Sequence, residues 1–241
     1  QETVADVPGR PRVVINRVGK DGLTDAERAA DIGKALQAKI TADFDAARAE
    51  YAQIDGPLSG SSDGGRVLNP DLARQLSPEY RADRSRSAEV HEPASAFVKK
   101  LYTQMLTEPV PAGKTKTVLF TAGGTGAGKS TGMNLLPDND TAGIVFDTNM
   151  NTRESAQQKV DQALEAGWAV TIQYTYRDPI EALKNGALPR AERMGRTVPL
   201  SAHIETHVGS RKTVAELAQR YAGNPRVLVF VADNSQGKGN A

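Results

Sequence analysis

TVLFTAGGTGAGKST, residues 117–131, joins an apolar, β-branched run to a glycine loop that closes on Lys129, Ser130 and Thr131. Gly123, Gly124, Thr125, Gly126, Ala127, Gly128, Lys129 and Ser130 satisfy GxxxxGK(S/T). In that pattern backbone N–H groups cradle phosphates, the lysine reaches the outer ones and the hydroxyl ligates Mg²⁺. Val118, Leu119 and Phe120 read as a buried strand and residues 130–136 as the start of a helix, which is the order the motif needs. A flexible glycine turn with a chance lysine is the plainer reading, and it leaves that order unexplained.

The rest of the composition confines the chemistry to this loop and its neighbours. A chain of 241 residues holds one α/β domain with a proper core, or a core domain with an appendage. A formal net charge of +1 with 24% charged residues gives no footprint for nucleic acid or an anionic membrane, so phosphate binding must be local. There is no cysteine, which excludes disulfides, thiol catalysis and Cys-ligated zinc. No apolar run approaches the roughly 20 residues needed to span a bilayer, and the first residues carry no signal-peptide pattern. The expectation is a soluble, cytoplasmic protein, with the reservation that a chain starting at Gln1 can have lost a leading segment.

Downstream of the loop a short helix is expected to break at Pro137, followed by a second buried strand over residues 143–146 that ends in Asp147. Ile144, Val145, Phe146 and Asp147 approximate a Walker B pattern, in which a carboxylate at a strand end holds Mg²⁺ directly or through water. Residues 152–166 read as an amphipathic helix stopped by Gly167, 168–174 as a third buried strand, 178–187 as a helix and 226–231 as a last strand. Strands alternating with helices imply βαβ units and a mainly parallel sheet. Arg190, Arg193 and Arg196 lie close together, either as a solvated basic face or as cations for a charged transition state. His203 and His207 sit four apart on a further helix, but no third ligand is nearby, so packing outweighs zinc.

Upstream, Asn69 is a plausible N-cap, Pro70 suits the first helical position, and Asp71 sits where the helix dipole favours a carboxylate. A second helix runs through Val90, Ala94, Phe97, Val98, Leu101 and Met105, with Pro93 at its first turn or a kink. Residues 55–65, DGPLSGSSDGG, read as a poorly ordered linker. Before it, Thr24 and Glu27 form a capping box, and Ile32, Leu36, Ile40, Phe44, Ala47, Tyr51 and Ile54 make one apolar stripe on a long helix of about 45 Å. That helix either packs on its own domain or covers the site or a partner. Residues 1–22 offer only the short apolar run Val13, Val14, Ile15, an edge strand or an extended arm.

NPDLARQLSPEYRADRSRSAEVHEPAS, residues 69–95, and RTVPLSAH, residues 196–203, resemble segments of the zeta-toxin-type kinases, P-loop phosphotransferases of bacterial toxin-antitoxin systems. The resemblance implies a nucleotide-kinase-like P-loop fold, with Asp71 as base toward an acceptor hydroxyl. It implies Lys129, Arg190, Arg193 and Arg196 as catalytic cations, and Asp147, Asn149 and His91 facing the acceptor. The implied cofactors are ATP or GTP and Mg²⁺, bound through Ser130 and, on the Walker B reading, Asp147. The implied acceptor is most often UDP-N-acetylglucosamine, with NAD, other nucleotides or antibiotics as alternatives. An antitoxin partner, no nucleic-acid or membrane partner, and action in a bacterial cytoplasm or in a target cell complete the expectation. In the family the Asp-bearing segment follows the P-loop, whereas here it precedes it; a rearranged connection preserves the site if the strands remain spatial neighbours. The expected organisation is an arm and long helix over 1–55, a linker over 56–65 and the kinase-like domain over 66–241. A nucleotide-driven ATPase switch with Asp147 as Walker B carboxylate, and a binding scaffold without turnover, are the readings from other classes.

Overall fold

Five parallel strands organise the structure, a computed structural model that describes residues 25–56, 60–129, 138–194 and 200–235 and, of residues 25–30, 138 and 193–194, the backbone only. In chain order the elements are α1 (Asp25–Ala42), α2 (Phe44–Ala52), β1 (Asp55–Gly56), β2 (Gly60–Ser61), β3 (Val67–Leu68), α3 (Pro70–Ala73), α4 (Pro78–Ala82), α5 (His91–Met105) and β4 (Thr115–Ala122). They continue with α6 (Asp138–Thr141), β5 (Ala142–Phe146), α7 (Arg153–Glu165), β6 (Ala169–Tyr176), α8 (Pro179–Ala182), α9 (Leu188–Met194), α10 (Leu200–Arg220) and β7 (Val227–Asp233). The fold is that of a P-loop NTPase-like α/β protein with helices against an all-parallel sheet.

Strand order is β3-β5-β4-β6-β7, so the strand that leads into the glycine loop is central. Its neighbours pair through Phe120 with Phe146 on one side and with Ile172 on the other. All five residues of β5 are buried, which is why it reads as a continuous apolar run, and β6 is buried except at its ends although Thr171, Gln173 and Thr175 alternate with its apolar residues. β3, which the sequence does not announce as a strand, hydrogen-bonds to β5 as the outermost strand, so residues 69–71 emerge at the same sheet end as the glycine loop and Asp147. A two-residue strand is too short for any periodicity to reveal it.

The N-terminal helices correct the single long helix read from the apolar stripe. Asp43 takes an extended φ of −152° and its carboxylate accepts from the Ala46 N–H, ending α1 and capping α2. A capping side chain inside a continuous apolar pattern therefore broke the helix. The stripe itself docks on the core: Ile32, Leu36, Ile40, Ala47 and Tyr51 are buried in one cluster with Phe97 and Leu101 of α5 and Phe120 of β4. Each large apolar side chain buried this way contributes about 1.5–3 kcal/mol. On either side of residues 57–59, which lie outside the described residues, β1 and β2 pair antiparallel, and the buried Ser62 donates from Oγ to Ala52 O. Thr24, the Val13–Ile15 run and the helix break at Pro137 lie outside the described residues.

Tyr51 gives the N-terminal helices a structural link to the site. Its phenol donates to Val67 O at 2.7 Å and accepts from the Asn69 N–H at 2.9 Å, and burial pushes its pKa well above the ordinary tyrosine range. The helix α2 thus fixes β3 and the start of α3, the segment that carries Asp71.

Candidate active site

Asn69 begins the site on the edge strand. Its side-chain oxygen accepts from the Asp71 N–H at 2.7 Å, the capping bond expected from Asn-Pro-Asp, and Pro70 fills the first helical position. Its Nδ2 donates to Asp147 Oδ2 at 2.7 Å. Asp147 Oδ1 accepts from Thr121 Oγ1, also at 2.7 Å, and the Asp147 N–H donates to Leu68 O at 2.8 Å. The acidic end of β5 is therefore fastened between the edge strand and the loop-bearing strand. Sequence reading found Asn69 only as a cap and did not single out Thr121.

Asp71 lies at the start of α3 and pairs with Arg74 Nη2 at 3.2 Å. Arg74 is buried and also meets His91 Nδ1 at 2.8 Å, so His91 stands behind the Asp71–Arg74 pair. On the other side, Lys129 donates to Asn149 Oδ1 at 2.6 Å and to Gly123 O at 3.2 Å. Withdrawal of its ammonium from water lowers the Lys129 pKa, the charges of Asp147 and Asp71 oppose that shift, and Arg190 adds to it. Asp71, Asp147 and Arg190 are thus all within electrostatic reach of the loop lysine. Asn149, expected to face the acceptor, has its amide oxygen turned to Lys129.

The glycine loop is packed from three directions. Gly123, Gly126 and Gly128 have φ of +137°, +75° and +93°, backbone that glycine adopts without strain. A Cβ on Gly124 would lie 2.1 Å from the His207 ring, and one on Gly126 2.5 Å from Ala182 O. His207 Nε2 carries a proton toward Thr125 O at 3.0 Å, the Thr125 N–H donates to Thr206 Oγ1 at 3.2 Å, and Asn234 Nδ2 donates to Ala127 O at 2.7 Å. The helix α10 and the end of β7 hold the loop, a relationship between residues about 80–110 positions apart for which the sequence carries no local signal. His203 Nε2 is spent on Pro179 O at 2.8 Å, so the His203–His207 spacing serves packing. Among the described residues no group of three His, Cys, Asp or Glu is placed to hold a metal ion.

The single helix read over 178–187 is corrected to α8 followed by a π-helical turn, Leu183–Ala187, that runs into α9. Gly186 in that turn stands against Gly126, where an added Cβ would be 2.5 Å from Gly126 O. Close backbone approach, rather than helix propensity, dictates the local winding. Arg190 is exposed on α9; the side chain of Arg193, and all of Arg196, Ser130 and Thr131, lie outside the described residues.

A central parallel strand ending in a glycine loop and lysine, with a second strand ending in a carboxylate beside it, defines a P-loop NTPase-like protein. The Lys129 ammonium, withdrawn from water within reach of Asp147 and Asp71, fits a nucleotide phosphate by its chemistry, while Ser130, the expected Mg²⁺ ligand, lies outside the described residues. The family model described as zeta toxin matches residues 139–238, so that part of the chain is similar to the zeta-toxin family. That family implies a kinase-type phosphotransferase. The match does not reach the glycine loop or the Asp71 segment. No curated protein matches the chain.

Proposed function

We propose that the protein transfers the γ-phosphoryl group of ATP or GTP to a hydroxyl of a small acceptor. The observation that carries this reading is the Lys129 ammonium under the combined influence of Asp71 and Asp147, which come from opposite sides of the loop in the sequence. Phosphoryl transfer has little covalent work for protein groups, so position and charge decide the rate. Lys129 and the loop amides hold the phosphates once they release Asn149, Gly123 O and Thr206. Asp71, steadied by Arg74, orients the acceptor hydroxyl and takes its proton. Arg190, with Arg193 and Arg196, neutralises charge on the transferring group. Asp147 and Asn149 form the acceptor wall, and His91 supports it through Arg74. Ser130, with Asp147, would hold Mg²⁺, which would supply charge neutralisation for the phosphates.

By its family likeness the acceptor is a nucleotide sugar such as UDP-N-acetylglucosamine, the setting is a bacterial toxin restrained by an antitoxin, and the site of action is a cytoplasm. NAD, another nucleotide or an antibiotic is the alternative acceptor. The position of Asp147 at a strand end beside the loop favours one second reading, a nucleotide-driven switch without acceptor. Incubation with γ-labelled ATP and a panel of nucleotide sugars, dinucleotides and aminoglycosides separates them. Label in an acceptor supports the kinase; label found only as free phosphate with every acceptor supports the switch and removes the kinase reading.

A further inference from the structure

A hollow of about 270 Å³ opens at the end of the sheet away from the glycine loop, beside Lys114 before β4, Ile144 near the start of β5 and Trp168 before β6. The eight residues of β4 separate the two ends by about 25 Å, so a small occupant here touches neither Lys129 nor Asp147. Leu101 and Met105 of α5, with Ile144 and Trp168, give the hollow apolar walls. The Trp168 indole N–H donates to Leu106 O at 2.9 Å, so the ring offers an occupant only carbon. A Cβ on Gly143 would lie 2.9 Å from that ring, a close contact that holds the indole in place.

Three cations and two carboxylates border the same hollow. Arg48 donates to both oxygens of Glu108, at 2.5 and 2.6 Å. Arg66 donates to Asp63 Oδ2 at 2.7 Å and, from Nη1, to Asn139 O and Ala142 O at 2.9 Å each. These pairs leave Lys114 over: its Nζ donates to Asp140 O at 2.6 Å and, among the described residues, meets no carboxylate. The lining therefore combines apolar walls with one surplus positive charge. A cavity of about 150 Å³ takes a benzene ring, so this one has room for two fused rings.

We propose that this hollow is a second ligand site, which takes a small planar aromatic carboxylate with its rings against Trp168, Ile144, Leu101 and Met105 and its carboxylate on Lys114. Removing the rings from water supplies affinity. The Lys114 charge selects an anion over a neutral or cationic ring of the same shape. Arg48 and Arg66 already have their carboxylates, so the ligand needs one acidic group and no more. The site lies outside the phosphoryl-transfer machinery and stands whether or not the kinase reading does.

The chain holds one tryptophan, so the full ¹⁵N-labelled protein gives one indole N–H signal, and that signal reports on the hollow. Titration with 2-naphthoate should move it saturably, to the same extent with and without Mg²⁺ and the non-hydrolysable ATP analogue AMP-PNP. The neutral 2-naphthamide should bind the wild-type chain at least about tenfold more weakly, the effect of one charge-assisted hydrogen bond. Lys114→Gln should remove that preference by weakening only the acid. An indole signal that does not respond to 2-naphthoate, equal affinities for acid and amide in the wild-type chain, a preference retained in Lys114→Gln, or displacement of 2-naphthoate by AMP-PNP overturns the site.

Discussion

Asn69 Nδ2 donates to Asp147 Oδ2 at 2.7 Å across 78 residues of chain, tying the end of the edge strand to the end of its neighbour. The same side chain caps α3 through the Asp71 N–H, so one asparagine sets both acidic residues of the site. Asn69→Ala should cost about 1–2 kcal/mol through the lost cap, read as a lower urea midpoint. Asn69→Ser should recover that stability by restoring a cap, yet its shorter side chain falls short of Asp147. If catalysis follows stability in both variants, the Asp147 contact has no separate role.

Tyr51 extends this support into the N-terminal helices. Tyr51→Phe leaves Val67 O and the Asn69 N–H without their buried partner, and a loss of about 1–3 kcal/mol is expected. Hydrogen exchange should show faster opening of residues 67–72 than of β6. Uniform destabilisation without that local signature would mean that the phenol does not hold the Asp71 segment.

The contact between Gly124 and His207 gives a double-mutant cycle. Gly124→Ala places a methyl 2.1 Å from the imidazole ring and should destabilise strongly, whereas in a His207→Ala background the clash with the ring is removed. A coupling of about 1–3 kcal/mol in thermal or urea unfolding is expected for residues in direct contact. Additive effects would show that α10 does not press on the loop.

Lys159 sets a pH dependence. Its folded pKa of about 8 lies below the ordinary lysine value, so between those two the unfolded chain binds more protons and stability rises with pH. Below about pH 8 both states are protonated and the penalty of burying the charge, with Lys99 beside it, is fully present. Lys159→Met should unfold at higher urea than the wild type at pH 7 and lack the rise between pH 8 and 10. An identical pH slope in both proteins would place the ammonium in open solvent.

The central strand, the glycine loop, the strand ending at Asp147 and the Asn69 cap were legible because each depends on residues adjacent in the chain. β3 was not, since two residues carry no period and its place follows from pairing with β5. The kink at Asp43 was hidden because an apolar stripe with spacings of three and four continues across it. Thr121 beneath Asp147 and the contacts of α10 with the loop are long-range and only the tertiary fold brings them together, whereas Arg74 behind Asp71 is an i,i+3 pair that the sequence reading passed over. The sheet sets β3 and β4 on either side of β5, so the Asp71 segment and the loop leave the same sheet end whatever their order in the chain.

Asp71 is the residue on which the kinase reading depends most. The decisive measurement is label transfer from γ-labelled ATP to a nucleotide acceptor by the wild-type chain and by Asp71→Asn, with AMP-PNP affinity measured on both. Loss of at least about a hundredfold in transfer, within the usual range for a general base, with AMP-PNP affinity retained is the expected result. Transfer by Asp71→Asn at the wild-type rate would contradict it.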